Sequence, residues 1–164
     1  MSVISIIDKL EQLVEIHQQL IQFSLEKTTI VKNGEVDKLQ SHLVKERKLV
    51  QQLEKAEAAR EKEVEKWFID NGLSLDDTTI TTMLQHLQDE GEQQALEASA
   101  VRLAEALINL KQQEQLNVAL IQQSMQFVQL SIDLLSPSLA NINYSNKTDM
   151  DKSSANRSLF DSKA

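Results

Sequence analysis

Apolar residues recur in steps of three and four along most of this chain. From Ser2 to about Asn33, Val3, Ile7, Leu10, Val14, His17, Ile21, Ser24, Thr28 and Val31 keep that spacing, with Ile6, Leu13 and Leu20 beside them. The period is helical, and the width of the stripe predicts a helix over 2–33 with a broad buried face. A second run over 35–70 carries Val36, Leu39, Leu43, Val50, Leu53, Val64 and Trp67, with Glu46, Glu57 and Arg60 in the same row. Its EKAEAAREKEVEK stretch is ampholytic, so that half is expected to project from the body or to be covered on one side only. A short helix is predicted over 77–89 around Ile80, Met83, Leu84 and Leu87, capped by Asp77, Thr78 or Thr79.

The longest run, over 92–135, places Leu96, Ala100, Leu103, Leu107, Leu110, Ile121, Val128 and Leu135 in one row, with Glu114, Asn117 and Ser124 between them. After Asn117 the stripe broadens, because Val118, Leu120, Met125, Phe127, Leu130, Ile132 and Leu134 are added to it. That is more apolar surface than one partner helix requires. Two readings fit it: the core of an intramolecular bundle, or a ridge for a partner helix, to which methionine lends adaptable contact.

Asn33-Gly34, Asn71-Gly72, Gly91 and Ser136-Pro137 interrupt the pattern and mark the expected junctions. Glycine takes the left-handed cap at a helix end without a Cβ penalty, and the tight first turn predicts an antiparallel return. Beyond Pro137 the chain is rich in Ser, Asn, Asp and Lys and has too little apolar surface to offset its ordering entropy. The expected organisation is therefore a single helical domain over 1–135 and a flexible, disordered C-terminal tail over 136–164.

Composition narrows the fold class. Aromatics are 4%, with three glycines and one proline in 164 residues, too few turn formers for a sheet protein. The prediction is all-α: a long antiparallel helical hairpin or coiled-coil bundle with a short connecting helix. The net charge of −8 argues against nucleic acid as a partner. No stretch reaches 18 apolar residues and the N-terminus lacks a basic leader, so neither membrane insertion nor secretion is expected; with no cysteine, a cytoplasmic setting fits.

Candidate chemistry is sparse. His17, His42 and His86 are the only imidazoles, and His17 lies in a core row. His42 and Glu46 share a helix face, but two ligands without a third make a poor metal site. There is no phosphate-binding loop, dinucleotide glycine pattern or serine elbow. No enzyme activity, cofactor or metal is expected.

Five segments carry a likeness: IIDKLEQLVEIHQQLIQFSLEKT, NGEVDKL, QQSMQFVQLSIDLLSP, the following NYS and the final SLFDSKA. Together the chain resembles the FlgN family of flagellar type III export chaperones, in the form found in spore-forming Gram-positive bacteria. The resemblance implies a cytoplasmic chaperone that uses no nucleotide. Its clients would be the hook–filament junction proteins, the first and third hook-associated proteins. It would bind their C-terminal helical segments, prevent premature association and present them to the flagellar export apparatus. The family's client-binding region lies toward the C-terminus, which implies Val118, Ile121, Met125, Val128, Ile132 and Leu135, with Tyr144 after the helix. The alternative is a homo-oligomeric coiled-coil scaffold or adaptor that pairs the same face with itself, its register set by Glu114, Asn117 and Ser124.

Overall fold

The computed structural model describes residues 3–135, which form four α-helices and, among the described residues, no strand. These are α1 (Ile4–Asn33), α2 (Val36–Asp70), α3 (Ile80–His86) and α4 (Glu90–Leu135). The protein is all-α, as its periodicity predicts. The described residues fall into two compact units, with the boundary between Leu120 and Ile121 inside α4. The stretch after Leu135, including the tail and Tyr144, lies outside the described residues.

Both Asn-Gly pairs end helices in the same way. Gly34 (φ 68°) donates its N–H to the Val31 carbonyl at 3.1 Å, and Glu35 donates to the Ile30 carbonyl at 3.1 Å. Gly72 (φ 66°) and Leu73 repeat the pattern on the Ile69 and Phe68 carbonyls at 3.0 and 2.9 Å. Left-handed backbone favours glycine, and the two bonds satisfy carbonyls that the helix end would leave open.

The connecting helix is shorter than the predicted 77–89. Thr79 caps it, its hydroxyl accepting from the Thr82 N–H at 3.2 Å, and Leu87 is extended. Gly91 is not a junction: it lies inside the first turn of α4, whose start is set by Asp89 Oδ1 accepting from Glu92 N–H at 2.8 Å. Capping at Asp89 begins α4 two residues earlier than the glycine suggested. Gln93 then reaches back to the Leu84 and Leu87 carbonyls at 3.3 and 2.6 Å, tying α4 to the end of α3.

In the first unit α1 lies between two helices. Ser5 meets Glu63, and His42 donates to the Phe23 carbonyl at 2.7 Å, so α2 runs antiparallel to α1. Ser99 and Arg102 meet Glu11, and Asn117 meets Ser24, so α4 runs parallel to α1. Serving two neighbours explains the wide stripe of α1, whose buried residues include Ile6, Leu10, Leu13, Val14, Ile16 and Leu20. One apolar cluster joins Val3, Ile6 and Leu10 to Val64, Trp67, Phe68, Met83, Leu87 and Leu96; a second joins Leu13, Ile16 and Leu20 to Leu49 and Ala56. Each fully buried large side chain contributes about 1.5–3 kcal/mol of transfer free energy.

The ampholytic half of α2 is covered on one side. Ala56, Val64, Trp67 and Phe68 are buried, while Lys55, Glu61, Lys62 and Glu65 are exposed. The inward lines of α2 and α4 are rotated from the rows read in the sequence. His42 and Leu49 take the positions expected of Leu43 and Val50, and Ser99 and Ala106 are buried where Leu107 is exposed. A small residue lets helix backbones approach closely, so the contact follows Ser99 and Ala106, and the bulkier Leu107 is left at the margin.

A polar layer fills the far end of this unit. Lys27 is buried and its Nζ stands 2.9 Å from each carboxylate oxygen of Glu46 and 3.2 Å from both oxygens of Glu114. Ser24 donates to Glu114 at 2.7 Å, while Asn117 donates to the Ser24 carbonyl and hydroxyl at 2.8 and 3.0 Å and accepts from Thr28. The polar residues that interrupt the apolar rows of three helices thus satisfy one another across the bundle.

Candidate functional site

Sequence-predicted site residues fall in both units. Val118 lies in the first, half-exposed at 52%. Ile121, Met125, Val128, Ile132 and Leu135 lie on the second, spaced by four, three, four and three residues, and so share one helix face. Ile121 is half-buried; Met125, Val128, Ile132 and Leu135 are exposed, from 51% at Ile132 to 83% at Leu135. Among the described residues, then, these four side chains are not part of the buried core. Tyr144 lies outside the described residues.

Three further exposed residues were absent from the predicted site: Phe127, Leu130 and Leu134. They fall off the row of the predicted site residues, although the broadening of the stripe after Asn117 already marks them as surplus apolar surface. Between 121 and 135 the single charged residue is Asp133, which accepts from Gln129 at 3.0 Å. Ser131 is turned onto its own helix, donating to the Phe127 carbonyl at 2.8 Å. Such a surface carries neither a nucleophile nor a metal-ligand set; what it can do is bury apolar area against another helix.

Other polar groups are committed elsewhere. His17 donates from Nδ1 to the Leu13 carbonyl at 2.7 Å, and His86 donates likewise to the Thr82 carbonyl at 2.8 Å. A hollow of about 360 Å³ is lined by Ile30, Asp37, Lys38, Ser41, His42 and Lys45. There His42 is engaged by Phe23 and Lys38 by Glu35, whose carboxyl is held below its ordinary range by Lys38 first and Asn33 second. Glu57 is likewise lowered by Arg60, which donates to it at 2.6 and 2.9 Å. Among the described residues no three His, Cys, Asp or Glu side chains gather as a metal site, and no helix is long and apolar enough to cross a membrane.

Fold and surface together define a class: an all-α bundle whose last helix carries an exposed, almost uncharged apolar segment. Residues 1–152 match the profile described as FlgN protein, and the chain belongs to the FlgN family. A protein of Bacillus subtilis (strain 168) titled "Uncharacterized protein YvyG" is 34% identical over 166 residues, covering all of both chains. No solved structure matches. FlgN is a family of flagellar export chaperones rather than of enzymes, and its partners are in general flagellar hook-associated proteins.

Proposed function

We propose that this chain binds the C-terminal helical segments of the first and third hook-associated proteins. It keeps them from associating prematurely and delivers them to the flagellar type III export apparatus. The observation that carries the reading is the exposed apolar face of Met125, Val128, Ile132 and Leu135 on a helix with one charge in its last fifteen residues. A monomeric protein rarely leaves contiguous apolar surface in water unless something binds it. Clients whose own helices are apolar would bury that surface, and the work ends there, since delivery needs release rather than chemistry.

The scaffold alternative leaned on Glu114 and Asn117 as register-setting groups in a self-paired coil. Both are bonded within the chain, to Lys27 and Ser24 and to Ser24 and Thr28. Client binding is the better account.

The test uses Met125→Glu and Val128→Glu in the full chain, with capture of each purified hook-associated protein as the readout. A charge placed in a desolvated contact costs on the order of a few kcal/mol, so capture is expected to fall at least tenfold. Because both residues are exposed, circular dichroism and the melting temperature are expected to stay unchanged. Undiminished capture by both variants would remove the site from this face.

A further inference from the structure

On a helix each residue advances by about 100°, so the exposed apolar residues of 121–135 can be placed around its axis. The predicted face, centred on Ile121 and Val128, forms one ridge. Phe127, Leu130 and Leu134 form another, about 145° away and with the uncharged Gln123 among them, and Ser124 and Ser131 lie in the sector between the two. The opposite sector holds Gln122, Gln126, Gln129 and Asp133. Apolar ridges and serine line together span an arc of about 220°. One helix laid against another contacts a much narrower stripe, so a single partner helix covers one ridge and leaves the other wet.

The chain itself supplies the comparison. In the first unit α1 is flanked by α2 and α4, and its inward residues, from Phe23 through Ser24 to Ile7, span an arc of about 200°. A helix with two neighbours in this protein thus carries an arc like that of 121–135.

We propose that the occupant of residues 121–135 is a pair of helices from a single client chain, one seated on each ridge with the serine line between them. This rests on reading the segment as the client site. The occupant's facing surfaces are apolar and uncharged, because the only charge of the segment, Asp133, lies in the opposite sector and is paired with Gln129. One chain supplying both helices loses translational and rotational freedom once, whereas two separate partners would lose it twice. Leu134 and Phe127 then become binding residues on the same footing as Val128.

The experiment places a photo-activatable side chain at Val128 and, separately, at Leu134 of the full-length chain. Each is irradiated with purified, monomeric first hook-associated protein, and the adducts are mapped by mass spectrometry. In parallel, Val128→Glu and Leu134→Glu are assayed for capture. The expected result is adducts from the two positions in different helical segments of one client molecule, with capture lowered at least tenfold by either substitution. Adducts in the same client helix would overturn the paired-helix inference and leave the client reading standing. So would normal capture by Leu134→Glu beside a defective Val128→Glu, or a Leu134 adduct to a second copy of this chain. If neither position labels the client and neither substitution weakens capture, the client reading itself falls. Leu134 and Val128 are exposed, and the cross-linking arm does not depend on how a glutamate at either position is tolerated.

Discussion

Lys27 is a buried cation near the end of the inward face of α1, which is tolerable only because Glu46 and Glu114 converge on it from two other helices. Removing one member of such a group leaves the others desolvated and uncompensated, which is costlier than never having had them. Lys27→Met is therefore expected to destabilise the first unit by about 3 kcal/mol, because Glu46 loses its counter-ion in a nearly closed position. Adding Glu46→Gln to that variant should recover part of the loss. The check is a double-mutant cycle by urea unfolding: additive effects would mean the two groups do not interact. Nothing in the sequence singled out Lys27. A lysine on an inward row is visible, but its partners lie 19 and 87 residues away and only folding brings them together.

At the scale of elements, the placement of α4 on α1 depends on contacts at both ends of their shared length. Near the start, Glu11 accepts from Ser99 at 2.7 Å and pairs with Arg102; near the end, the Lys27 and Asn117 groups close the contact. Glu11 has its carboxyl held below the ordinary range, by Arg102 first and Ser99 second. The folded state thus favours the ionised form. That contribution is complete above the unfolded value of about 4.3 and is lost as pH falls through the lower folded value. Melting temperatures measured from pH 7 down to pH 3 should show a shallower acid limb for Glu11→Gln than for the unsubstituted chain. Equal limbs would mean the pair contributes nothing to the placement of α4. The pair is largely solvent-facing, so the difference is expected to be small.

Helix caps were legible in the sequence where they rest on local chemistry. Asn33-Gly34 and Asn71-Gly72 needed only the left-handed preference of glycine, and both helices end there. Gly91 misled because a glycine tolerated in a first turn looks the same in a sequence as one that ends a helix, and the decisive group was the neighbouring Asp89. The rotated seams of α2 and α4 share one cause. Periodicity shows that a helix has an apolar side, but which of two adjacent lines faces the neighbour depends on how closely the backbones approach. In α4 the inward line follows the small Ser99 and Ala106, and in α2 it follows His42 and Leu49.

For the whole molecule, the described residues divide at Leu120, and each buried core residue belongs to the part before it. A chain ending at Leu120 is therefore expected to keep its helical signal and a cooperative melt, while capture of hook-associated proteins is lost. Circular dichroism with a pull-down checks both halves of that statement. A fragment that melts without cooperativity would show that residues beyond Leu120 support the bundle, and one that still captures clients would move the site into the first unit.

By itself the sequence determined the all-α class, the two glycine caps, the breadth of α1, and the excess of apolar surface after Asn117, because each follows from residues close together in the chain. Its likeness to the FlgN family was also readable in short segments, and the whole-chain match bears it out. Tertiary structure alone decided which polar residues would meet in the interior and which apolar ones would stay in water. Ser24, Lys27, Glu46, Glu114 and Asn117 look like flaws in three separate helical rows until the helices pack, whereupon they satisfy one another. Met125, Phe127, Val128 and Leu134 could be core or partner surface by pattern alone, and only the folded chain shows them exposed. Burial is a property of neighbours, and for residues so far apart in the chain only the packed fold determines who the neighbours are.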